Sequence, residues 1–583
     1  MCGIAGIISR KENEKLQDAI YIIEKKISHR GPNDKGYHFS KNKAFLHLRL
    51  SIVDIKSGHQ PIYSDNGKIG IIYNGEIYNY KILRTELEKK GYIFKTNSDT
   101  EVVLKIFQEY GVESFKKLNG MFAFAIWNEL TNEIYLVRDY FGIKPLYIYE
   151  DSEKTIFCSE LKGILSLANF MNLDLTLEEI GIQDYLHFRY NPSPYTIFKN
   201  IKKVEPGTYL IYKDGKWFNY KYFELNYEEN NNLKFEDLKN DLDNELKNVV
   251  SSQLMGEVPV GVLLSGGLDS STISYYIKEI GAKLKTFNIG FPEVNEFKYS
   301  EEVAKKLGLE HFVIELTIEE LLKKYNEINY YLDEPIADPA CLPLYELAKE
   351  LKKHVTVVLS GEGGDEIFGG YPQYQYLYRN NLSFFERYET FIQKSWYFED
   401  TYIFMKNKYL PPKNLRFKKY FDENTLLNGM LAFDLKTWIP DNLMMKADKM
   451  LMAHSLEGRF PFLDKRIFEL VSKFPEEYKI SKESGITKFI LKELIKDKLP
   501  ISIINREKMG FSVPVDKLLE KMKSLVFDNF EEIKKTELKN ILELSEIEKL
   551  IKNYYKNKES GLKLWTIFSL FYWFNNSLTR YKN

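Results

Sequence analysis

Six consecutive residues, Ser265-Gly266-Gly267-Leu268-Asp269-Ser270, place two hydroxyls, two glycines and a carboxylate directly after the apolar run Val260–Leu264. The run is short enough to be a strand buried on both faces. From Ser271 on, the spacing of Thr272, Ile273, Tyr275, Tyr276 and Ile277 is helical. A strand, a glycine turn and a helix start leave backbone N–H groups pointing outward, which makes an anion site. The glycines let the backbone approach the anion, and Ser265 and Ser270 add hydroxyl donors. Asp269 beside a phosphate needs a cation between them, which points to Mg²⁺. No lysine comes after the glycines, so this is not the phosphate loop of kinases and GTPases. The plain alternative is a β–α turn without a ligand.

Cys2 is the second chemical candidate. A residue as small as cysteine allows the initiator Met to be removed, and an α-amine would then lie beside the thiol. With a pKa near ~7.7–8.0 that amine suits a general base, so one residue would supply both nucleophile and base. Most chains that begin Met-Cys carry no such chemistry, so the weight falls on the residues downstream. Cys2-Gly-Ile-Ala-Gly, His29-Arg-Gly-Pro-Asn-Asp34, Leu48-Arg49-Leu-Ser-Ile-Val-Asp54, Tyr73-Asn74-Gly75-Glu76-Ile-Tyr-Asn79 and Ser98-Asp99-Thr-Glu101 occur in that order. This set resembles the glutaminase domain of class II (N-terminal nucleophile) glutamine amidotransferases. The resemblance implies an oxyanion hole made by the Asn74 side-chain amide and the Gly75 backbone N–H. It also implies that Arg49 holds the α-carboxylate of glutamine and that Asp99 and Glu76 hold its α-ammonium. Leu50, Ser51, Ile52 and Val53 would form the wall beside them. Taken singly, Arg49 or Asp99 would read as a solvated surface charge.

Ser-Gly-Gly-x-Asp-Ser in turn resembles the pyrophosphate loop of the ATP pyrophosphatases, in which the α-phosphate of ATP is attacked and pyrophosphate leaves. A second glycine loop, Ser360-Gly361-Glu362-Gly363-Gly364-Asp365-Glu366, comes after the apolar run Val355–Leu359 and carries three carboxylates. The two loops together resemble the synthetase domain of the glutamine-hydrolysing asparagine synthetases, so the resemblance spans nearly the whole chain. It implies that Leu264, Ile289, Ser360 and Gly361 touch ATP, with Ser265, Gly266, Gly267, Asp269 and Ser270 at the phosphates. Asp269 and Asp365 would share Mg²⁺. Glu362 would lie where an acyl-adenylate forms and would accept the proton that ammonia loses. Ile504-Asn-Arg506-Glu-Lys508-Met-Gly510-Phe511 matches the family's Arg-x-Lys-x-Gly-Phe pattern, whose lysine, here Lys508, stabilises charge on the phosphates. One stretch departs from the family. Between Asp333-Glu-Pro335 and Leu342-Pro-Leu-Tyr345 its best-known members carry an arginine facing the α-carboxylate of aspartate, while related synthetases share the version found here, in which another base would serve. Here Ile336-Ala-Asp-Pro-Ala-Cys341 has no Arg or Lys.

Positioning these residues takes two domains, which 583 residues allow. Gly120–Trp127 and Ile134–Tyr147 read as strands around turns and match the αββα sandwich of the resembled glutaminases. Residues 200–225 read as a closing hairpin, and Glu228-Glu-Asn-Asn-Asn232 is the most polar, least periodic stretch. The expected division is a glutaminase domain over 1–210, a linker over 211–234 and a synthetase domain over 235–583. In the last, Phe235, Leu238, Leu242, Leu246 and Val249 mark a helix. Strands at Lys285–Gly290, His311–Glu315 and Val355–Leu359 alternate with helices such as Ser300–Leu307, with Ser300 as its cap. That alternation predicts a parallel-sheet α/β ATP-pyrophosphatase domain with added helices.

Composition removes other classes. Lys+Arg 82 against Asp+Glu 83 leaves no basic excess to hold nucleic acid or an anionic membrane. The apolar stretch Leu564–Phe574 is shorter than the ~18–20 residues of a membrane span and has the spacing of a docked helix. Three cysteines make no disulfide framework, so a reducing, cytoplasmic setting is expected, and Cys158 and Cys341 are read as structural thiols. The expected reaction takes glutamine, ATP and aspartate to asparagine, glutamate, AMP and pyrophosphate. A related enzyme amidating another carboxylate, such as a uronic acid of a surface polysaccharide, shares every motif but the acceptor. A silent binding paralogue would have lost Cys2, Asp269 or Glu362, and a β-lactam-forming relative would lack Cys2; all three are present. A homodimer is compatible with the sequence and not fixed by it.

Overall fold

The computed structural model describes residues 2–582 apart from 13, 381–388, 393, 394, 396, 408–414, 423, 511 and 512, so Phe511 of the lysine motif lies outside the described residues. The N-terminal part is built on strands β1 (Gly3–Ser9), β2 (Asp34–Phe39), β3 (Lys43–Arg49), β4 (Ile62–Tyr63), β5 (Ile69–Ile77) and β6 (Gly120–Asn128). It continues with β7 (Glu133–Arg138), β8 (Tyr147–Glu150), β9 (Lys154–Cys158), β10 (Ile201–Lys203), β11 (Thr208–Lys213) and β12 (Lys216–Lys221). They form two six-stranded sheets, ordered β10-β8-β9-β1-β3-β2 and β12-β11-β7-β6-β5-β4, with antiparallel pairing throughout.

The period of two explains why these strands are apolar on both faces. In β1, Ile4 and Ile8 face the second sheet and meet Phe45, Ile72, Trp127 and Phe157. Ala5 and Ile7 face outward, into the cluster that holds Ile20 and Ile23 of the helix Leu16–Ile27. In β5, Ile72 points inward, while Ile71 and Tyr73 join Val102 and Val103 of the helix Asp99–Tyr110. Helix, sheet, sheet, helix is the αββα order expected.

The C-terminal part holds a five-stranded parallel sheet of β13 (Val260–Leu263), β14 (Lys285–Gly290), β15 (His311–Glu315), β16 (Val357–Leu359) and β17 (Glu457–Arg459). Its order is β15-β14-β13-β16-β17. The chain therefore runs outward from β13 to one side, returns, and continues on the other side. The crevice between the ends of β13 and β16 is the switch point, where such sheets bind ligands.

Three local expectations change. The helix after β13 begins at Leu268 with Gly267 as its cap, not at Ser271, so Asp269 and Ser270 sit in its first turn. Ser300 lies inside the helix Phe297–Leu307, bonded to the Phe297 carbonyl at 3.0 Å, and is not its cap. The hairpin β11–β12 belongs to the second sheet, so a boundary at 210 would cut a strand, and the stretch without strand or helix is 222–234. Leu564–Phe574 falls largely in the buried helix Gly561–Tyr572. Among the described residues no helix is long and apolar enough to cross a membrane.

Candidate active site

The first centre lies at one end of the two N-terminal sheets. Cys2 precedes β1, Arg49 ends β3, Asn74-Gly75-Glu76 lie in β5, and Asp99 opens its helix with Ser98 as cap. The backbone N–H of Cys2 donates to Asn74 Oδ1 at 2.9 Å, and the Cys2 carbonyl accepts from Arg30 Nε at 3.1 Å. Asn74 Nδ2 is buried and donates to none of the described residues. Gly75 is required by closeness, because a Cβ there would stand 2.1 Å from the Met121 carbonyl of β6. Burial raises the Cys2 thiol, while Arg49 and a bond with the Leu50 backbone work against that rise.

Two buried carboxylates lie close together here, and one of them, Glu76, acts on the thiol. Asp99 accepts from Tyr73 Oη and from the Ile77 N–H, both at 3.0 Å, and burial lifts it to about 6. Glu76 is driven well above the usual carboxylate range by burial and by Glu457 and Asp99. Its Oε1 lies 3.6 Å from the Arg459 guanidinium, and its buried Oε2 accepts from none of the described residues. Two crowded carboxylates with one guanidinium form a place for a further cation. Arg49 Nη2 donates to the Val53 and Asp54 carbonyls at 3.2 and 2.6 Å, and Nη1 to the Ile55 carbonyl at 3.3 Å. It thereby shapes the loop of Leu50, Ser51, Ile52 and Val53. That loop is also tied by Ser51 N–H to Asn33 Oδ1 at 2.9 Å and by the Ile52 carbonyl to the Glu257 N–H at 2.9 Å.

The second centre opens at the switch point. Gly266 has φ +77°, and a Cβ on it would stand 2.5 Å from the Ser300 nitrogen. A Cβ on Gly361 would stand 2.6 Å from the Ser270 nitrogen, so the two glycine loops touch. Ser265 Oγ and Ser270 Oγ are 3.1 Å apart. Lys488 Nζ bridges the loops, 2.5 Å from Asp269 Oδ2 and 2.6 Å from Asp365 Oδ1, and Lys508 Nζ is 2.5 Å from Asp365 Oδ2. Against burial, the two ammonium groups hold Asp365 down at about 2. Burial, with Asp365 beside it, raises Asp269 against the pull of Lys488. A cavity of about 560 Å³ is lined by every residue expected at ATP except Gly266, and also by Glu362, Asp365 and Lys508. Burial raises Glu362, and its Oε2 accepts from none of the described residues.

Sequence reasoning missed several members. Lys488 has φ +52° at a helix start, in Gly485-Ile-Thr-Lys488, with nothing in its neighbours to mark it. Lys446, 3.0 Å from Asp338, lines the same cavity from the helix Met444–Met452, which carries none of the motif residues. Arg459 was missed with β17. Its guanidinium bonds the Gln253 and Met255 carbonyls, both at 2.6 Å, and Glu457 Oε1 at 2.7 Å, besides approaching Glu76. Its own carbonyl accepts the N–H of Ser360 at 2.9 Å. Cys158 and Cys341 are both buried and neither lines the cavity of the second centre, with the Cys158 thiol pushed up by burial to about 12. Among the described residues no group of three or more His, Cys, Asp or Glu is placed to hold a metal by itself.

Comparison with known proteins agrees with this geometry. The family model described as glutamine amidotransferase domain matches residues 1–223, and that described as asparagine synthase matches residues 241–575. A Bacillus subtilis (strain 168) protein named asparagine synthetase (glutamine-hydrolyzing) 1 is 35% identical, over 98% of this chain and 96% of its own. A Methanocaldococcus jannaschii protein named putative asparagine synthetase (glutamine-hydrolyzing) 2 is 39% identical over 65% of this chain and 77% of its own. Asparagine synthetase B (glutamine-hydrolyzing) of Escherichia coli (strain K12) is 29% identical over 88% and 82% respectively. The chain belongs to the family of glutamine-hydrolysing asparagine synthetases.

Proposed function

We propose that the chain forms asparagine from aspartate with nitrogen drawn from glutamine. With Met1 removed, the α-amine of Cys2 takes the thiol proton and the thiolate attacks the glutamine amide carbon. Asn74 Nδ2 and the Gly75 N–H receive the oxyanion, and Glu76 and Asp99 hold the α-ammonium. Ammonia leaves, and water hydrolyses the thioester to glutamate. In the second centre a β-carboxylate oxygen of aspartate attacks the α-phosphorus of ATP, and the bond to pyrophosphate breaks. Ammonia then attacks the acyl carbon, Glu362 takes its surplus proton, and AMP leaves. A carboxylate has no leaving group, and adenylation supplies one. Free ammonia at neutral pH is mostly ammonium and unreactive, which favours its delivery inside the protein.

Two carboxylates, Asp269 and Asp365, brought together by opposite loops around a lysine cation are hard oxygen ligands of the kind a divalent cation takes. Asp269 and Asp365 would hold Mg²⁺, which would supply positive charge at the phosphates. Lys488 and Lys508 do the same from the protein side.

The observation that carries the coupled reading is the double engagement of Arg459, by its guanidinium with Glu76 and by its carbonyl with Ser360. One residue thus touches a member of each centre. The test is product analysis with ¹⁵N-amide glutamine, ATP, and aspartate against a panel of uronic acids. Label in asparagine with stoichiometric pyrophosphate is expected, and label in a uronamide alone would replace the acceptor.

A further inference from the structure

Asp338, Pro339 and Ala340 of the stretch Ile336–Cys341 line the cavity, and the stretch has no cation of its own, yet one is bonded to it from the other half of the chain. Arg189 comes directly after the helix Glu179–Phe188 and caps its C-terminus at φ +71°, a left-handed conformation that favours glycine. Its N–H bonds the Tyr185 carbonyl at 2.7 Å, and its carbonyl accepts the Ala337 N–H at 2.9 Å. The residue is 5% exposed, and what remains accessible opens into the cavity that holds Glu362 and both glycine loops. Its buried Nε donates to none of the described residues, and its guanidinium makes no ion pair and stacks on no ring among them. The carboxylate acting most strongly on it, Asp338, is already engaged by Lys446 Nζ at 3.0 Å, Asn442 Nδ2 at 3.3 Å and the Ala340 N–H at 3.0 Å.

A guanidinium taken out of water without a counter-charge is costly, and here it stands in a position that disfavours any side chain. Such a group is retained where a ligand supplies the anion. The phosphate end of the cavity is served by Lys488 and Lys508, so the anion at Arg189 is a different one. Asp338 acts electrostatically on both Arg189 and Glu362, the residue proposed to lie beside the reacting carboxylate. We propose that Arg189 is the specificity-determining residue that binds the α-carboxylate of the acceptor. The synthetase centre then selects an amino acid with a second carboxylate, using a side chain from the glutaminase half. This rests on the amidation reading above.

The test is ATP-dependent pyrophosphate release by the full chain and by Arg189→Met, with aspartate and with β-alanine, which is aspartate without its α-carboxylate. A charge-assisted bond to a buried group predicts that the preference for aspartate in kcat/KM falls ~10–100-fold in Arg189→Met. The loss falls on aspartate alone, with KM for ATP and glutamine hydrolysis unchanged. Equal losses on both acids, or none, would overturn the role of Arg189 and leave the amidation reading standing. Wild-type protein that releases no pyrophosphate with aspartate would instead sink that reading. Should Arg189→Met not fold, Arg189→Lys keeps the charge but loses the planar fork. It then raises KM for aspartate ~10-fold while still preferring it to β-alanine, and an unchanged KM overturns the proposal.

Discussion

The N–H of Cys2 is held by Asn74 Oδ1 at 2.9 Å, so one end of this amide fixes the nucleophile's backbone while its other end, Nδ2, has no acceptor among the described residues. A single side chain thus registers the thiol and offers the donor that a tetrahedral oxyanion needs. Asn74→Ala is expected to lower kcat for glutamine hydrolysis ~10²–10³-fold with a smaller change in KM. Synthesis from added ammonium should be unaffected. A change confined to KM would mean that Asn74 binds substrate and does not stabilise the oxyanion.

In the role proposed above, Asp99 adds a more acidic limb to the pH profile of the isolated glutaminase half-reaction, below the one set by the α-amine of Cys2 near ~7.7–8.0. Burial places Asp99 at about 6, so in that proposed role it would attract the α-ammonium of glutamine only above that pH. Measured without ATP, kcat/KM for glutamine should fall as pH drops through about 6, since this ratio reports groups of the free enzyme. Asp99→Asn should abolish that limb and raise KM at every pH. A limb of unchanged position in the variant would assign it to another group.

Arg459 joins Glu76 to the sheet that carries Ser360, so its replacement should be felt first by glutamine. Arg459→Lys cannot reproduce contacts to Glu457, two carbonyls and Glu76 together. KM for glutamine should rise ~10-fold. Ammonium-dependent synthesis should be retained, because the carbonyl of residue 459 still holds Ser360. Loss of that activity as well, in a variant with an unchanged thermal transition, would refute the separation.

Lys488 bridges Asp269 and Asp365, and removing one partner of a buried pair costs about 3–5 kcal/mol. Lys488→Ala should therefore melt several degrees lower in the absence of nucleotide. Millimolar Mg²⁺ should recover part of that loss in the variant and add little to the wild type, whose carboxylates already hold a cation. Equal responses of the two proteins in calorimetry would separate these carboxylates from metal binding.

These predictions draw on residues that differ in how readable they are. The loop after β13 announces itself, because an apolar run, two glycines and a helical pattern each need only local sequence. Its helix starts three residues earlier than the spacing predicts, because Asp269 and Ser270 suit a ligand loop and a first helical turn equally well. Cys2 gains meaning only from the ordered motifs behind it. By contrast, Glu457-Gly458-Arg459 cannot be read as a buried strand: two of its three residues are charged, and their partners come from Gln253, Met255 and Glu76 far along the chain. Lys488 and Arg189 are hidden for the same reason, since a cation's burial is decided by what the fold sets against it. The hairpin at 208–221 is legible as strands, but a domain limit set by polarity passes through it.

The central claim is that a thiol releases nitrogen in one half of the molecule and a nucleotide centre consumes it in the other. Cys2→Ala tests it most directly, with asparagine formation measured from glutamine and, separately, from ammonium. The account predicts no product from glutamine and the wild-type rate from ammonium. Loss of both, in a protein that still folds, would contradict it.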